Sequence, residues 1–201
     1  MVMQDYNLNE LVRLNPLKAA YNLLGKILVI NSRPGRIVDI EVYCVLNDPA
    51  CHSHKYVKEK DIKALEPGEL FLYPVHGYWM LNIVVGETRR GLVFIRRVSV
   101  GKCFEDYLTG PGIVSKYYAI NRELNGVKLG SREEARIVSD NFRLEPGMVK
   151  ATKRVGLRKD LDARLRFFIP RNIYRRFIQD CKDSTDNVLP RRYNILNSTK
   201  E

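Results

Sequence analysis

Residues 36–43 read Arg-Ile-Val-Asp-Ile-Glu-Val-Tyr, a run that alternates with the period of a β-strand. On that period Val38, Ile40 and Val42 share one face, and Ile37, Asp39, Glu41 and Tyr43 share the other. The first face belongs in a core. The second carries two carboxylates and a phenol, groups that are costly to bury unless a cavity, a partner or solvent receives them. The stretch therefore either lines a site or lies at a sheet edge with its polar face in water, and the alternation alone leaves both open.

The flanking sequence builds a sheet around this strand. Asn15-Pro16, followed by Leu17, Ala20, Tyr21, Leu24 and then Gly25, supplies a cap, a proline at the first helical position, an apolar stripe and a glycine stop, which predicts a short helix. Lys26 to Ile30 is an apolar strand, Ser32 to Gly35 a turn, and 36–43 the returning arm of a hairpin. Residues 47–68 read as a loop with a helical turn near Asp61 to Leu65, and a connection of that length inside a compact domain is often functional. Glu69 to Tyr73, Tyr78 to Val85 and Leu92 to Val98 form an antiparallel meander, broken at His76-Gly77 and at Gly86 to Gly91. Thr109-Gly110-Pro111-Gly112 opens a helix through Ile113, Tyr117 and Ile120. Phe142 to Leu144, Val149 to Val155 and Leu165 to Ile169 are further strand candidates, and the chain from Asp180 is polar. The expected class is α+β: a single domain over residues 1–180, with a curved, mainly antiparallel β-sheet surrounded by short helices, and a polar C-terminal tail over 181–201.

Charge speaks to partners. The chain has 34 Lys and Arg against 23 Asp and Glu, a net charge of +11, and such a surplus attracts polyanions. A charge-rich thermophile surface would raise Lys and Glu together, whereas here the basic residues outrun the acidic ones and gather in the second half, as at Arg96-Arg97, Lys153-Arg154, Arg175-Arg176 and Arg191-Arg192. Nucleic acid leads as partner, ahead of an anionic membrane surface. No apolar run reaches the roughly 20 residues of a membrane span, and the N-terminus lacks the order of a signal peptide. Cys44, Cys51, Cys103 and Cys181 contain no CxxC pair and read as reduced thiols of an intracellular protein.

Several residues could carry chemistry. Glu41 sits mid-strand among apolar neighbours and needs a cation beside it, for which Arg96 is the candidate; the pair could activate a water or serve as a structural ion pair. Asn82 interrupts the apolar run Trp79 to Val85, so its amide either braces backbone or rejects a ligand with an extra group. Tyr43, Tyr73, Tyr78 and Trp79 could stack a base or simply pack as core. Cys44, Cys51, His52 and His54 have the wrong spacing for a structural zinc site, and Asp39, Glu41 and Asp48 with Lys55 make the better metal alternative, a magnesium-dependent nuclease.

Taken in order, the chain resembles the alkyladenine (3-methyladenine, or methylpurine) DNA glycosylases. The pieces that carry the resemblance include Arg36-Ile37-Val38-x-x-Glu41-x-Tyr43, Asp48-x-Ala50-x-His52-Ser53, Pro67-Gly68-x-x-x-x-Tyr73, Gly77 with Asn82, Ile95-Arg96, Arg154-Val155-Gly156 and Leu165-Arg166-Phe167. The resemblance implies that Glu41 is the general base, that Arg96 and the Val155 carbonyl help hold its water, that Tyr43, His52 and Tyr73 enclose a flipped base, and that Asn82 excludes normal guanine by crowding its amine. A cationic purine such as 3-methyladenine stacks well between electron-rich rings and leaves without a general acid. The chain departs from the family where Lys55 to Leu65 replaces a basic loop motif, and where His76 stands in place of a tyrosine wedge, with 77–82 one residue short. His76 is therefore the expected DNA wedge, supported by Tyr78.

The expected protein is a monofunctional glycosylase that takes alkylated or deaminated purines from double-stranded DNA and leaves an abasic site. It is expected to need no cofactor or metal, to act as a monomer, and to work in the cytoplasm or nucleoid of a prokaryote or the nucleus of a eukaryote. Its rivals are the nuclease and a non-catalytic nucleic-acid-binding module.

Overall fold

A computed structural model describes residues 4–44, 48–51, 66–86, 90–131 and 134–183. His52, His54 and the helical turn expected near Asp61 to Leu65 lie outside these residues, as does the tail beyond Asp183.

A two-residue strand β1 (Gln4–Asp5) and a short helix α1 (Leu8–Arg13) lead into α2 (Pro16–Leu23). The helix starts as its sequence predicts: the Asn15 side chain accepts from the Lys18 N–H at 2.9 Å, and Pro16 occupies a position that has no helical acceptor to lose. Ala19, Ala20 and Leu23 point into the core. Strands β2 (Ile27–Ile30) and β3 (Arg33–Cys44) then form a hairpin. Its turn is Asn31-Ser32, both at positive φ (50° and 61°), rather than the expected Ser32 to Gly35. Asn31 tolerates that conformation, and its amide donates to the Tyr118 carbonyl at 2.8 Å, so Pro34 and Gly35 are released into the strand.

Strands β4 (Leu70–Val75), β5 (Tyr78–Val85) and β6 (Gly91–Val100) form the meander, and β7 (Asp106–Thr109) adds to β6. Next come α3 (Pro111–Tyr117), a 3₁₀ turn (Arg122–Leu124), β8 (Ala135–Ser139), β9 (Lys150–Thr152), β10 (Arg166–Phe168) and α4 (Arg171–Asp183). The sheet order is β1-β8-β2-β3-β6-β5-β4, with β10 pairing β3 and β9, and each pairing among the described residues is antiparallel. The α+β class holds. Residues 142–144 are not a strand, because β8 sits earlier and Phe142 instead lays its ring 4.5 Å from the Arg36 guanidinium.

Strand β3 is interior from Arg36 through its middle. Its first part pairs with β2, its middle (Asp39–Glu41) with β10, and its other side with β6. The edge-strand alternative for 36–43 is thereby excluded. The β3–β6 register slips at Val38 on one strand and at Arg96 on the other, since Ile37 faces Val98, Asp39 faces Arg97, and Ile40 faces Ile95. A bulge adds a residue and breaks the two-residue alternation. Ile37 consequently packs with Ile40 and Val42, whereas Val38 packs with Ile27, Met148 and Ile169. Strict alternation had put each of them on the opposite face.

One face of the sheet buries Ile40, Val42, Leu81, Ile83, Val93 and Ile95 against α2 and α3. The other face carries two separate apolar clusters, one under α4 around Tyr174 and Ile178, and one around Tyr43, Phe71, Tyr73 and Phe94. Asp39 and Glu41 lie on this second face, fully buried.

Candidate active site

The sheet register lines up Phe71 of β4, Asn82 of β5, Phe94 of β6, Glu41 of β3 and Arg166 of β10 in one row. One step along, Tyr43 follows Glu41 on the same face, and Tyr73 pairs with Met80. The aromatics touch: Tyr43 meets Phe94 edge-on at 6.3 Å between centroids, Tyr73 lies 6.5 Å from Phe94 and 6.0 Å from Phe71. These rings form a wall that ends on the Glu41 carboxylate.

Glu41 is held from three directions. Arg96 Nη1 lies 3.1 Å from Oε1, the Val155 main-chain N–H donates to Oε1 at 2.9 Å, and the Tyr43 hydroxyl donates to Oε2 at 2.8 Å. The expected Glu41–Arg96 pair is present, and the bulge explains how Arg96 comes to share that face with its neighbour Arg97, which lies 3.2 Å from Asp39 Oδ2. Val155 meets Glu41 through its backbone while its side chain is largely exposed. Burial foremost, together with the adjacent carboxylate, pushes the Tyr43 phenol above its ordinary value, so it remains a donor.

The carboxylates of the nuclease alternative are all committed to arginine. Asp39 takes Arg166 through both oxygens (2.9 and 2.7 Å) as well as Arg97, and Asp48 takes Arg154 through both oxygens (2.6 and 2.9 Å). A divalent ion would have to displace these cations. Among the described residues no group of three or more His, Cys, Asp or Glu is arranged to hold a metal. Cys51 packs in the aromatic cluster beside Ala50, and Cys44 is half-buried.

Asn82 is buried, and its amide donates to the carbonyls of Phe71 (3.0 Å) and Met80 (3.2 Å). It braces the β4–β5 hairpin while standing in the same row as Phe94 and Glu41. The tip of that hairpin is His76-Gly77, with φ of 48° and 80°, a two-residue turn of the kind whose twist matches the flanking strands. His76 is exposed at the tip. Tyr78 points back instead: its ring lies against Gly112 of α3, with Lys116 Nζ 5.2 Å from its centroid. Trp79 packs against the core on the helix side of the sheet.

Sequence reasoning gave no role to Phe71, Phe94, Arg154 or Arg166. Phe94 and Phe71 carried a usable signal, since each lies on the same alternating face as a candidate already chosen. Arg154 and Arg166 stand in stretches that carry the family resemblance, but their pairing with Asp48 and Asp39 had no signal, because those partners are remote in sequence.

Fold and site together place a buried, arginine-paired carboxylate beside an aromatic cluster on one face of the sheet. A family model described as methylpurine-DNA glycosylase matches residues 10–173. Proteins named "Putative 3-methyladenine DNA glycosylase" align over most of the chain. The one from Wolbachia sp. subsp. Brugia malayi (strain TRS) is 33% identical over 156 residues, 76% of this chain and 90% of its own. The one from Bdellovibrio bacteriovorus is 32% identical over 153 residues, 69% of this chain and 80% of its own. The one from Francisella tularensis subsp. tularensis is 30% identical over 189 residues, 84% of this chain and 97% of its own. The chain belongs to the methylpurine-DNA glycosylase family, and it is a DNA glycosylase of alkylated-purine repair. Among the described residues no helix is long and apolar enough to cross a membrane.

Proposed function

We propose that the protein excises alkylated purines of the 3-methyladenine type from duplex DNA by a single displacement with water. Glu41 takes a proton from the water, the water oxygen bonds to the sugar C1′, and the C1′–N bond breaks with its electron pair leaving on the base. A base that carries positive charge leaves as a neutral molecule and needs no proton from the protein. Arg96 and the Val155 carbonyl hold the water, Tyr43, His52 and Tyr73 enclose the extruded base, and Asn82 crowds the position of a guanine amine. His76 fills the gap left in the duplex, with Tyr78 behind it, and the product is an abasic site.

The observation that carries this reading is the position of Glu41: fully buried, with a guanidinium 3.1 Å away, beside a cluster of edge-on and tilted aromatic rings. An ordinary ion pair does not require an aromatic wall in the same row. The nuclease is disfavoured because Asp39 and Asp48 already face arginines. The surplus of +11 supplies the phosphate affinity that duplex binding needs. The test is incubation with methylated duplex and with duplexes carrying single defined lesions, in a chelator, with released base measured by chromatography. Free 3-methyladenine without strand scission is the expected outcome, and scission that requires added magnesium would overturn it.

A further inference from the structure

Arg154 precedes Val155 in a segment that follows β9, and its side chain is fully enclosed. A guanidinium has five N–H donors, and here each has an acceptor. Nη1 donates to Asp48 Oδ2 (2.6 Å) and to the Val42 carbonyl (2.9 Å), Nη2 to Asp48 Oδ1 (2.9 Å) and to Asp160 Oδ1, and Nε to Asp160 Oδ1 (2.9 Å). The Cζ of the same group lies over the Tyr43 ring, 4.3 Å from its centroid. Asp48 in turn accepts from the Cys44 and Ala50 N–H groups at 3.1 Å, which fixes it beside the end of β3.

These contacts converge on Glu41. Its Oε2 is held by Tyr43, whose ring rests on Arg154, and its Oε1 is held by the Val155 amide, one residue along from Arg154. We propose that Arg154 is a positioning residue for excision: anchored by Asp48, Asp160 and the Val42 carbonyl, it fixes the Tyr43 ring and the Val155 backbone that together aim the Glu41 carboxylate. The proposal rests on the reading of Glu41 as the base. An ion pair kept only for stability would need one carboxylate and would have no reason to touch two of the three groups that hold Glu41. Misplacing a catalytic group by about 1 Å costs roughly 100-fold in rate, which sets the scale of the effect.

The test uses the full chain and two conservative changes. Arg154→Lys keeps a positive charge beside Asp48, but an ammonium has three donors against five and cannot reproduce the two-oxygen contact with Asp48 together with the bonds to Asp160 and the Val42 carbonyl. Asp160→Asn keeps the shape of the acceptor and removes one anchor charge, at a partly exposed position that tolerates the change. Single-turnover release of 3-methyladenine from methylated duplex is expected to fall roughly 10- to 100-fold for Arg154→Lys and several-fold for Asp160→Asn. Affinity for a duplex carrying a tetrahydrofuran abasic analogue should stay within about twofold. In a Glu41→Gln background neither change should slow the residual reaction further, because an effect that acts through Glu41 vanishes once Glu41 is gone. Unchanged excision with a lowered urea midpoint would overturn the proposal and leave a structural ion pair. An equal fold-loss in the Glu41→Gln background would also overturn it, as a general distortion. If Arg154→Lys does not fold, Asp160→Asn decides by the same criteria. A Glu41→Gln protein with near-normal turnover would defeat the reading of Glu41 itself, which is a separate and recognisable failure.

Discussion

The Tyr43 hydroxyl donates to Oε2 of Glu41 at 2.8 Å, from two positions further along the same strand. Residues so spaced share a face, with Cα atoms about 6.6 Å apart, and only a side chain as long as a phenol reaches back over that gap. Tyr43 thus combines two tasks, a ring in the aromatic wall and a hydrogen bond to the buried carboxylate. Tyr43→Phe separates them. It removes a bond to a charged acceptor worth about 1.5–3 kcal/mol, so the single-turnover excision rate should fall about 10- to 100-fold while affinity for lesion duplex stays level. An unchanged rate in Tyr43→Phe would show that the ring alone matters.

Asn82 supports backbone and stands in the same row as Phe94 and Glu41. Asn82→Ala leaves the Phe71 and Met80 carbonyls without the amide, and the expected cost is about 1–3 kcal/mol of stability, read as a lower urea midpoint. It also opens space in the row that contains Phe94 and Glu41. The ratio of guanine-type to adenine-type excision should rise, measured on duplexes with matched lesions. A lower midpoint with an unchanged ratio would assign Asn82 to bracing alone.

The hairpin tip bears on base extrusion. His76 is exposed on a two-residue turn, whereas Tyr78 is packed on Gly112 and would have to leave that contact to enter DNA. His76→Ala should therefore lower the extruded population reported by a fluorescent base analogue next to the lesion, with the circular dichroism spectrum unchanged. Loss in Tyr78→Ala alone would move the wedge to Tyr78.

Much of this was legible in the sequence for local reasons. The β4–β5 hairpin follows from alternation on either side of His76-Gly77, α2 from its Asn15 cap and Pro16, and the polar face of β3 from Asp39, Glu41 and Tyr43 recurring at every second position. The exchange of Ile37 and Val38 was not legible, because a bulge is a property of two paired strands and has no signature in one of them. The anchoring of Arg154 was not legible either, since Asp48 lies 106 positions away and Asp160, 6 positions on, lies outside any helix or strand that would bring the two together. Helix α4 could have been found: Pro170 precedes it, and Ile173, Tyr174, Phe177 and Ile178 recur with helical spacing.

Acid sensitivity should come from two buried pairs. Burial alone would raise the Asp48 carboxyl, but hydrogen bonds from Arg154 and from the Ala50 and Cys44 amides hold it below the usual range; burial would likewise raise Asp140, and Arg36 holds it down. A group depressed in the folded state stabilises fully above its unfolded value, about 4, and loses that contribution as pH falls through the folded value. Because these two groups are lowered, the urea midpoint should be level from about pH 7 to about pH 5 and drop below about pH 4. Asp48→Asn removes one of the two carboxylates that hold the buried Arg154 and leaves it to Asp160 and the Val42 carbonyl, so the variant should be less stable at neutral pH and lose less on acidification. A midpoint that fell steadily from neutrality would contradict this assignment.

The central claim is that Glu41 activates the water, and the most direct measurement is single-turnover release of 3-methyladenine by Glu41→Gln in the presence of a chelator. Glutamine keeps the shape and can still face Arg96, Val155 and Tyr43, but it cannot take a proton. The expected result is a rate lower by roughly 10²–10⁴, with the affinity for duplex DNA and the urea midpoint close to wild type. A Glu41→Gln protein that releases base at a near-normal rate would contradict the account and place the chemistry on another residue.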